Sequence, residues 1–421
     1  MKEQVPEKEA ILKYVTEENV VELAKDMIRI PSLEEEESEL ARFLEKYMKD
    51  KGLETEMIEV EEGRIQPIGR IKGTGGGYSL IFNGHMDVDV IYLGLKDPYV
   101  PRIEGRRLYG HGSFNMKGGV AAMIEAAVAI KKSGVKLKGE LIVTPVVGEL
   151  QGGTGTAINI KRGIRADFGL VPEPYGEFFC LTHAGSQQVA ITIRGRSEQI
   201  RRMEYGINLS AKIARTIDAI NNMKLTYTPD PRLPGLPRMI IGSGVFGHGE
   251  TYDLAGAFFL PDICTIIIQV VELSGMHPDE DIRKVLEKIK AQDPEFNYEM
   301  RVTPDDPELP GMPWRNKRLT FPFQDLSPDE LIVKVHAQNY KYLTGEEPQV
   351  GAIPVDDPRH SMSYAADDDA HLTKAGIPSF CCGPVGEREP TGEQFVDIDS
   401  MVRVAKNFAL TAYDICTRAK E

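Results

Sequence analysis

Apolar residues recur at helical spacing from residue 17 to 51, with Val20, Val21, Leu23, Ala24, Met27 and Ile28 on one stripe. The pattern breaks at Pro31, resumes in ESELARFLEKYMKDKG and stops at Gly52. Short apolar runs then alternate with helical stretches: SLIFNG at 79–84, a helix from Lys117 to about Lys132, ELIVTPVV at 140–147 and DFGLVP at 167–172. This alternation predicts an α/β domain on a mainly parallel sheet. Near residue 187 the character changes. QQVAITIRG reads as a strand, 205–223 as a helix, ICTIIIQVVEL at 263–273 as a strand, PDEDIRKVLEKIKAQ as a helix and FNYEMRVT as a strand. That order predicts a small α+β sandwich over residues 188–323, inserted into a discontinuous domain of residues 1–187 and 324–421. The Pro-rich TPDDPELPGMPW at 303–314 marks the return, with Trp314 read as packing a domain seam. Helix–strand alternation resumes at SPDELIVKVHAQNYKYL and ends in a helix at 399–418.

A chain of 421 residues, 41% of them hydrophobic, is long enough for two buried cores. Its net charge of −14 repels phosphate on average, which argues against nucleic acid or an anionic membrane as partner and for a small-molecule substrate. The start, MKEQVPEKEAILKYV, is charged, and no stretch approaches the ~20 apolar residues of a spanning helix. A cytoplasmic location is therefore expected. Five irregularly spaced cysteines, with no C-x-x-C pair, give no disulfide framework. Cys381 and Cys382 follow the apolar GIPSF and read as a buried strand end.

The strongest chemical signal is NGHMDVDV at 83–90, where an apolar strand ends. With a side-chain period of two, His85 and Asp87 point the same way, so the carboxylate can fix the imidazole tautomer or orient a metal-bound histidine. A structural histidine in a turn is the bland alternative. GHGSFNMKGGVAA at 110–122 is a Gly-rich loop opening a helix, without phosphate-loop spacing, and carries Asn115. VGELQGGTGT at 147–156 presents Glu149 on a turn after a strand, and LVPEP at 170–174 presents Glu173 at another strand end. Because strand carboxyl ends in an open α/β sheet converge on one crevice, His85, Asp87, Asn115, Glu149 and Glu173 are expected to meet there. His111, His183, His360 and His371 read first as hydrogen-bonded structural histidines. The segment DDPRHSMSYAADDDAH at 356–371 could bind a cation through Asp367 to Asp369, but reads more simply as a solvated loop.

In order and wording these segments resemble the zinc-dependent family of aminoacylases, carboxypeptidase G, acetylornithine deacetylase, succinyl-diaminopimelate desuccinylase and non-specific dipeptidases. The resemblance spans nearly the whole chain, including IPS at 30–32, GRSEQ at 195–199, LPDIC at 260–264 and AGIPSFCCGPVG at 375–386. It implies a three-layer metallopeptidase-like catalytic domain with an inserted ferredoxin-like lid that mediates dimerisation, hence a homodimer or larger assembly. It also places His85 and Glu173 on the first metal, Asp87 on that metal's supporting carboxylate and Glu149 on the general base.

The same resemblance exposes departures. The bridging Asp falls on Asn115, the second carboxylate of a Glu pair on Leu150, and the C-terminal His ligand on Pro390. The lid His facing the oxyanion falls on Gln199, and an Arg for a substrate carboxylate on Val271. Leu150 and Pro390 cannot donate to a cation, so the family's second metal is expected to be absent. His85, Glu173 and Asn115 leave one open site for a loosely held zinc, manganese or cobalt ion, with His360 or His371 as replacement ligands. Gln199 and Asn208 are read as substrate-binding. The sequence thus points to a one-metal hydrolase of a C–N bond, amide or N-acyl amino acid in type. An aminohydrolase of a small aromatic amine such as a nitroanthranilate, or a catalytically inactive binding homologue, stays open beside it.

Overall fold

The computed structural model describes residues 5–254, 258–307 and 319–420; Trp314 and part of the Pro-rich return lie outside them. The chain forms two compact units, one of residues 1–183, 324–363 and 367–421, the other of residues 184–323 and 364–366. Among the described residues no helix is long and apolar enough to cross a membrane.

The first unit opens with helices α1 (Val5–Leu12), α2 (Glu17–Arg29) and α3 (Ser38–Asp50). Thr16 caps α2 by accepting from the Asn19 amide, and the apolar stripe read from the sequence is buried. Strands β1 (Glu54–Glu61) and β2 (Arg64–Ile71) follow as an antiparallel pair. The hydrophobic pattern hides this pair because β1 is a charged edge with only Ile58 buried. Then come β3 (Leu80–His85), α4 (Gly118–Ser133), β4 (Leu141–Val146), α5 (Thr154–Lys161), β5 (Phe168–Val171) and β6 (Phe179–Cys180). After the second unit the chain adds α6 (Leu331–Thr344), β7 (Val350–Gly351), α7 (Asp369–Lys374), β8 (Ser379–Cys381) and α8 (Ile398–Cys416).

These strands make one eight-stranded sheet in the order β1-β2-β4-β3-β5-β8-β6-β7. Its centre, β4-β3-β5-β8, is parallel, with His85 opposite Val146 and Phe82 opposite Leu170. Every residue of β3, β4 and β5 is buried, as in strands covered on both faces. Helix α4 is buried from Gly118 to Ile130 and packs against α8, whose Phe408 ring lies 5.0 Å from that of Phe82. His336 shows what a purely structural histidine looks like here. It sits among Phe179, Phe380 and Phe408, is held by Thr411 and Asn407, and has its pKa pushed down to about 3 by burial.

The second unit is a βαββαβ sheet whose strands lie in the order 238–247, 263–272, 185–194 and 297–302, all antiparallel, as in ferredoxin-like domains. Val189, Ile191 and Ile193 alternate onto one face, pair with Ile268, Ile266 and Cys264, and pack with helices 209–221 and 278–292. The hydrophobic pattern misses strand 238–247 because Gly242, Ser243 and Gly244 read as a turn; the structure uses them for a register shift in an exposed edge.

One buried ion pair ties the first unit's edge to its centre. Arg64, at the start of β2, donates from Nε to Glu37 at 3.0 Å and from Nη1 to Gln151 at 2.6 Å. Removing one partner of such a pair strands a buried charge. Arg64→Ala should therefore destabilise the unit by about 3–5 kcal/mol, read as a lowered urea midpoint, whereas a change below ~1 kcal/mol by the same measurement would mark the pair as solvated.

Candidate metal centre

Parallel neighbours β4, β3, β5 and β8 end at one edge, and each delivers a polar group at or just beyond its last residue. His85 closes β3, Glu149 follows β4, Glu173 follows β5, and Cys381 closes β8 as a buried strand end. His85 Nε2 lies 2.9 Å from Asn115 Oδ1, 3.3 Å from Glu173 Oε1 and 3.9 Å from Glu149 Oε2. The sequence-predicted set of His85, Asn115, Glu149 and Glu173 is thus brought together.

Asp87 meets both His85 and the turn that carries Glu149. The imidazole Nδ1 of His85 pairs at 2.8 Å with the main-chain oxygen of Asp87, while the Asp87 carboxylate stands 3.7 Å away. That carboxylate instead accepts from the Glu149 and Leu150 amides at 3.2 and 2.9 Å. Asp87 therefore holds the turn that carries Glu149, and its backbone sets the His85 tautomer. Ser32, in the IPS segment, donates to the Met86 carbonyl at 2.7 Å and steadies the same loop. Lys117 anchors the Asn115 loop. Its buried ammonium donates to the Met27 and Ile30 carbonyls at the end of α2, and burial lowers its pKa to about 7.

Two glycines permit close approaches that a methyl group would block. Gly153, at φ +79°, would bring a Cβ within 2.6 Å of His371 and 2.7 Å of Asp368. Gly383 would bring one within 2.3 Å of the main-chain oxygens of Pro172 and Glu173.

The acidic run overturns an expectation. Asp367, Asp368 and Asp369 are not solvated; all three are at most 5% exposed. Asp367 accepts from the Tyr175 hydroxyl at 2.5 Å, Asp368 from Asn83 at 3.3 Å, and Asp369 pairs with His183 at 2.8 Å. Charge density alone suggests a wet loop, but partners from β3 and from the segments after β5 and β6 draw these carboxyls inward. Tyr175 and Asn83 carry no signal in the sequence that marks them for this role.

The remaining candidates fall elsewhere. His111 pairs with the Asp89 carbonyl at 2.8 Å, and burial followed by the Lys117 charge lowers its pKa to about 4. His360 pairs with the Ile353 carbonyl and His371 with the Gly152 carbonyl, both at 2.8 Å, and neither joins a metal-ligating cluster among the described residues. Pro390 is exposed in the turn between strands 386–388 and 394–397. Gln199 and Asn208 belong to the second unit, where the Asn208 side chain caps helix 209–221 by accepting from the Ala211 amide at 3.3 Å. Val271 lies in strand 263–272.

The donor set suits a divalent cation. Burial alone would lower the His85 pKa, but the carboxylates of Glu173, Asp87 and Glu149 override it and raise it well above the ordinary value. The Nε2 position thus attracts positive charge, as a proton or as a metal ion. Glu173 Oε1 is buried and, its 3.3 Å contact with His85 aside, has no hydrogen-bond partner among the described residues. Burial, reinforced by neighbouring acids, raises the Glu149 pKa well above normal. Burial also lifts Asp367 to about 7 and Asp368 to about 8. A divalent cation bound among these buried donors would relieve such crowding, and two groups, His85 with Asp87 and Glu149, and Glu149 with Glu173 and Asp367, offer ligand atoms close enough to hold one.

The sign of the pH effect follows. The acids with raised pKa hold more protons folded than unfolded between about pH 4 and 8, so their own contribution to stability falls as pH rises through that window, while the lowered His111, His336 and Lys117 contribute in the opposite direction. Because a cation and protons compete for these acids, a fixed concentration of zinc or manganese should raise the melting temperature of chelator-treated protein more near the top of that window than near its middle. A metal-induced shift that shrinks as pH rises through the window would contradict this assignment.

The chain matches the model of peptidase family M20/M25/M40 over residues 81–414. It is similar to N-formyl-4-amino-5-aminomethyl-2-methylpyrimidine deformylase of Bacillus subtilis, 24% identical over 96% of each chain. It is also similar to succinyl-diaminopimelate desuccinylase of Sulfurimonas denitrificans, 30% identical over 87% of this chain and 91% of that one. Among solved structures, a tripeptidase from Staphylococcus aureus shares the fold with a TM-score of 0.70, at 17% identity over 96% of this chain and 99% of that one. The parallel sheet, the convergent imidazole and carboxylates, and a match over most of the length agree: the chain belongs to peptidase family M20/M25/M40 and is a metal-dependent hydrolase.

Proposed function

We propose that the protein hydrolyses the C–N bond of a small amide or N-acyl amino acid, using one catalytic divalent metal held by His85, Glu173 and Asn115, with Glu149 as general base. The observation that carries this reading is the position of Glu149, 3.9 Å from His85 Nε2 on a turn fixed by Asp87. A zinc, manganese or cobalt ion held by His85, Glu173 and Asn115 would supply Lewis acidity toward the attacking water. Glu149 takes the water proton and passes it to the leaving nitrogen. Asp87 acts through position, keeping Glu149 and His85 in register. With Asn115 neutral, the ligand charge is low and the metal exchanges readily. The relatives named deformylase and desuccinylase support a small acyl group on nitrogen as the part removed.

A cytoplasmic location and a homodimer complete the proposal. The first is supported by five buried cysteines that all stay free, as suits a reducing compartment. The second is supported by edge strand 238–247, which exposes Ile240, Val245 and Phe246 along an open sheet edge, a surface suited to a second copy.

Glu149→Gln should keep its metal content and lose about 10²–10⁴-fold in turnover when N-formyl, N-succinyl and other N-acyl amines are screened for carboxylate release. Full turnover by the variant would remove Glu149 from the mechanism, and ammonia released from aromatic amines without acid release would move the chemistry to an aminohydrolase. Light scattering at micromolar concentration should give twice the 46.8 kDa chain mass; a monomer mass would rule the dimer out.

A further inference from the structure

Beside the crevice, one step along the sheet edge, lies a second group of donors. His183 follows β6, Asp367 and Asp369 stand at the start of α7, and Cys381 ends β8 beside Cys180. One ligand atom from each of the four lies within 4.8 Å of the others, and all four residues are buried. His183 Nε2 is 2.8 Å from Asp369 Oδ1 and 3.9 Å from Asp367 Oδ2, and Cys381 Sγ is 3.9 Å from Asp367 Oδ2. A tetrahedral ion with bonds of about 2.0–2.3 Å needs ligand atoms ~3.3–3.8 Å apart, so these donors reach it with small shifts.

From this arrangement we infer that His183, Asp367, Asp369 and Cys381 form a second cation site, of mixed nitrogen, oxygen and sulfur donors suited to zinc. Two observations beyond the cluster itself point to a ligand. Asp369 is fully buried, yet its Oδ2 has no hydrogen-bond partner among the described residues. Asp367 also groups with Glu149 and Glu173 within 4.8 Å, so one carboxylate borders both sites and adds its charge to each. A buried aspartate pair facing one imidazole leaves net negative charge where water cannot reach, and a thiol at the same point adds a ligand that zinc favours over magnesium or calcium. Binding releases the Cys381 thiol proton to solvent, leaving the sulfur as thiolate. The site uses neither Leu150 nor Pro390, and it does not depend on the role of Glu149.

The test uses the full chain at equilibrium with micromolar free zinc or cobalt. Equilibrium dialysis should show Cys381→Ala and Asp369→Asn each binding one zinc ion fewer per chain than the unaltered protein. The cobalt-loaded protein should show a near-ultraviolet thiolate-to-cobalt charge-transfer band, absent in Cys381→Ala and Cys381→Ser but kept in His85→Ala and Glu149→Gln. Cys381→Ser preserves shape, so loss of the band with an unchanged circular dichroism spectrum separates ligation from misfolding. No thiolate band in the unaltered protein, or an unchanged zinc count in Cys381→Ala and Asp369→Asn, overturns the inference and leaves the Glu149→Gln turnover to judge the proposed hydrolysis on its own.

Discussion

Buried negative charge at one end of a parallel sheet is the constraint that the rest of the first unit is arranged to satisfy. Asp87, Glu149, Glu173, Asp367, Asp368 and Asp369 are all nearly inaccessible there, with His85 and His183 as the imidazoles set among them. Acids gathered in a low-dielectric place need cations, protons or dipoles to answer them. Several of those answers are visible. Backbone amides hold Asp87, Tyr175 and Asn83 hold two of the aspartates, and Glu173 and Asp369 face histidine.

The sheet makes this gathering possible. Parallel strands buried on both faces are covered by helices, which leaves only their ends open for chemistry. The α4 helix, buried along most of its length, and the loop before it bring Asn115 in from the side. The resulting centre is polar at its tip and apolar beneath, so charges there interact more strongly than they would in water.

Much of this is legible in the sequence. The helix at 17–29 carries a clear hydrophobic period, and the helix at 118–133, the central strands and the strand at 263–272 stand out as near-continuous apolar runs. His85, Glu149 and Glu173 stand out because each closes or follows an apolar strand directly. What escapes depends on contacts far apart along the chain. The edge strands 54–61 and 238–247 lack a continuous apolar face, and Asp367–Asp369 look solvated until Tyr175, Asn83 and His183 are seen against them. Cys381 reads as ordinary strand filling because the groups that give it a chemical setting come from other segments.

The grip of Asp87 on the turn after β4 bears on how such a centre can change over evolutionary time. Position 150 contributes only its backbone amide to that grip. The side chain there can therefore change freely without loosening the turn that carries Glu149. Backbone architecture and side-chain chemistry become separately editable at this turn, because the one is held through amides and the other is not.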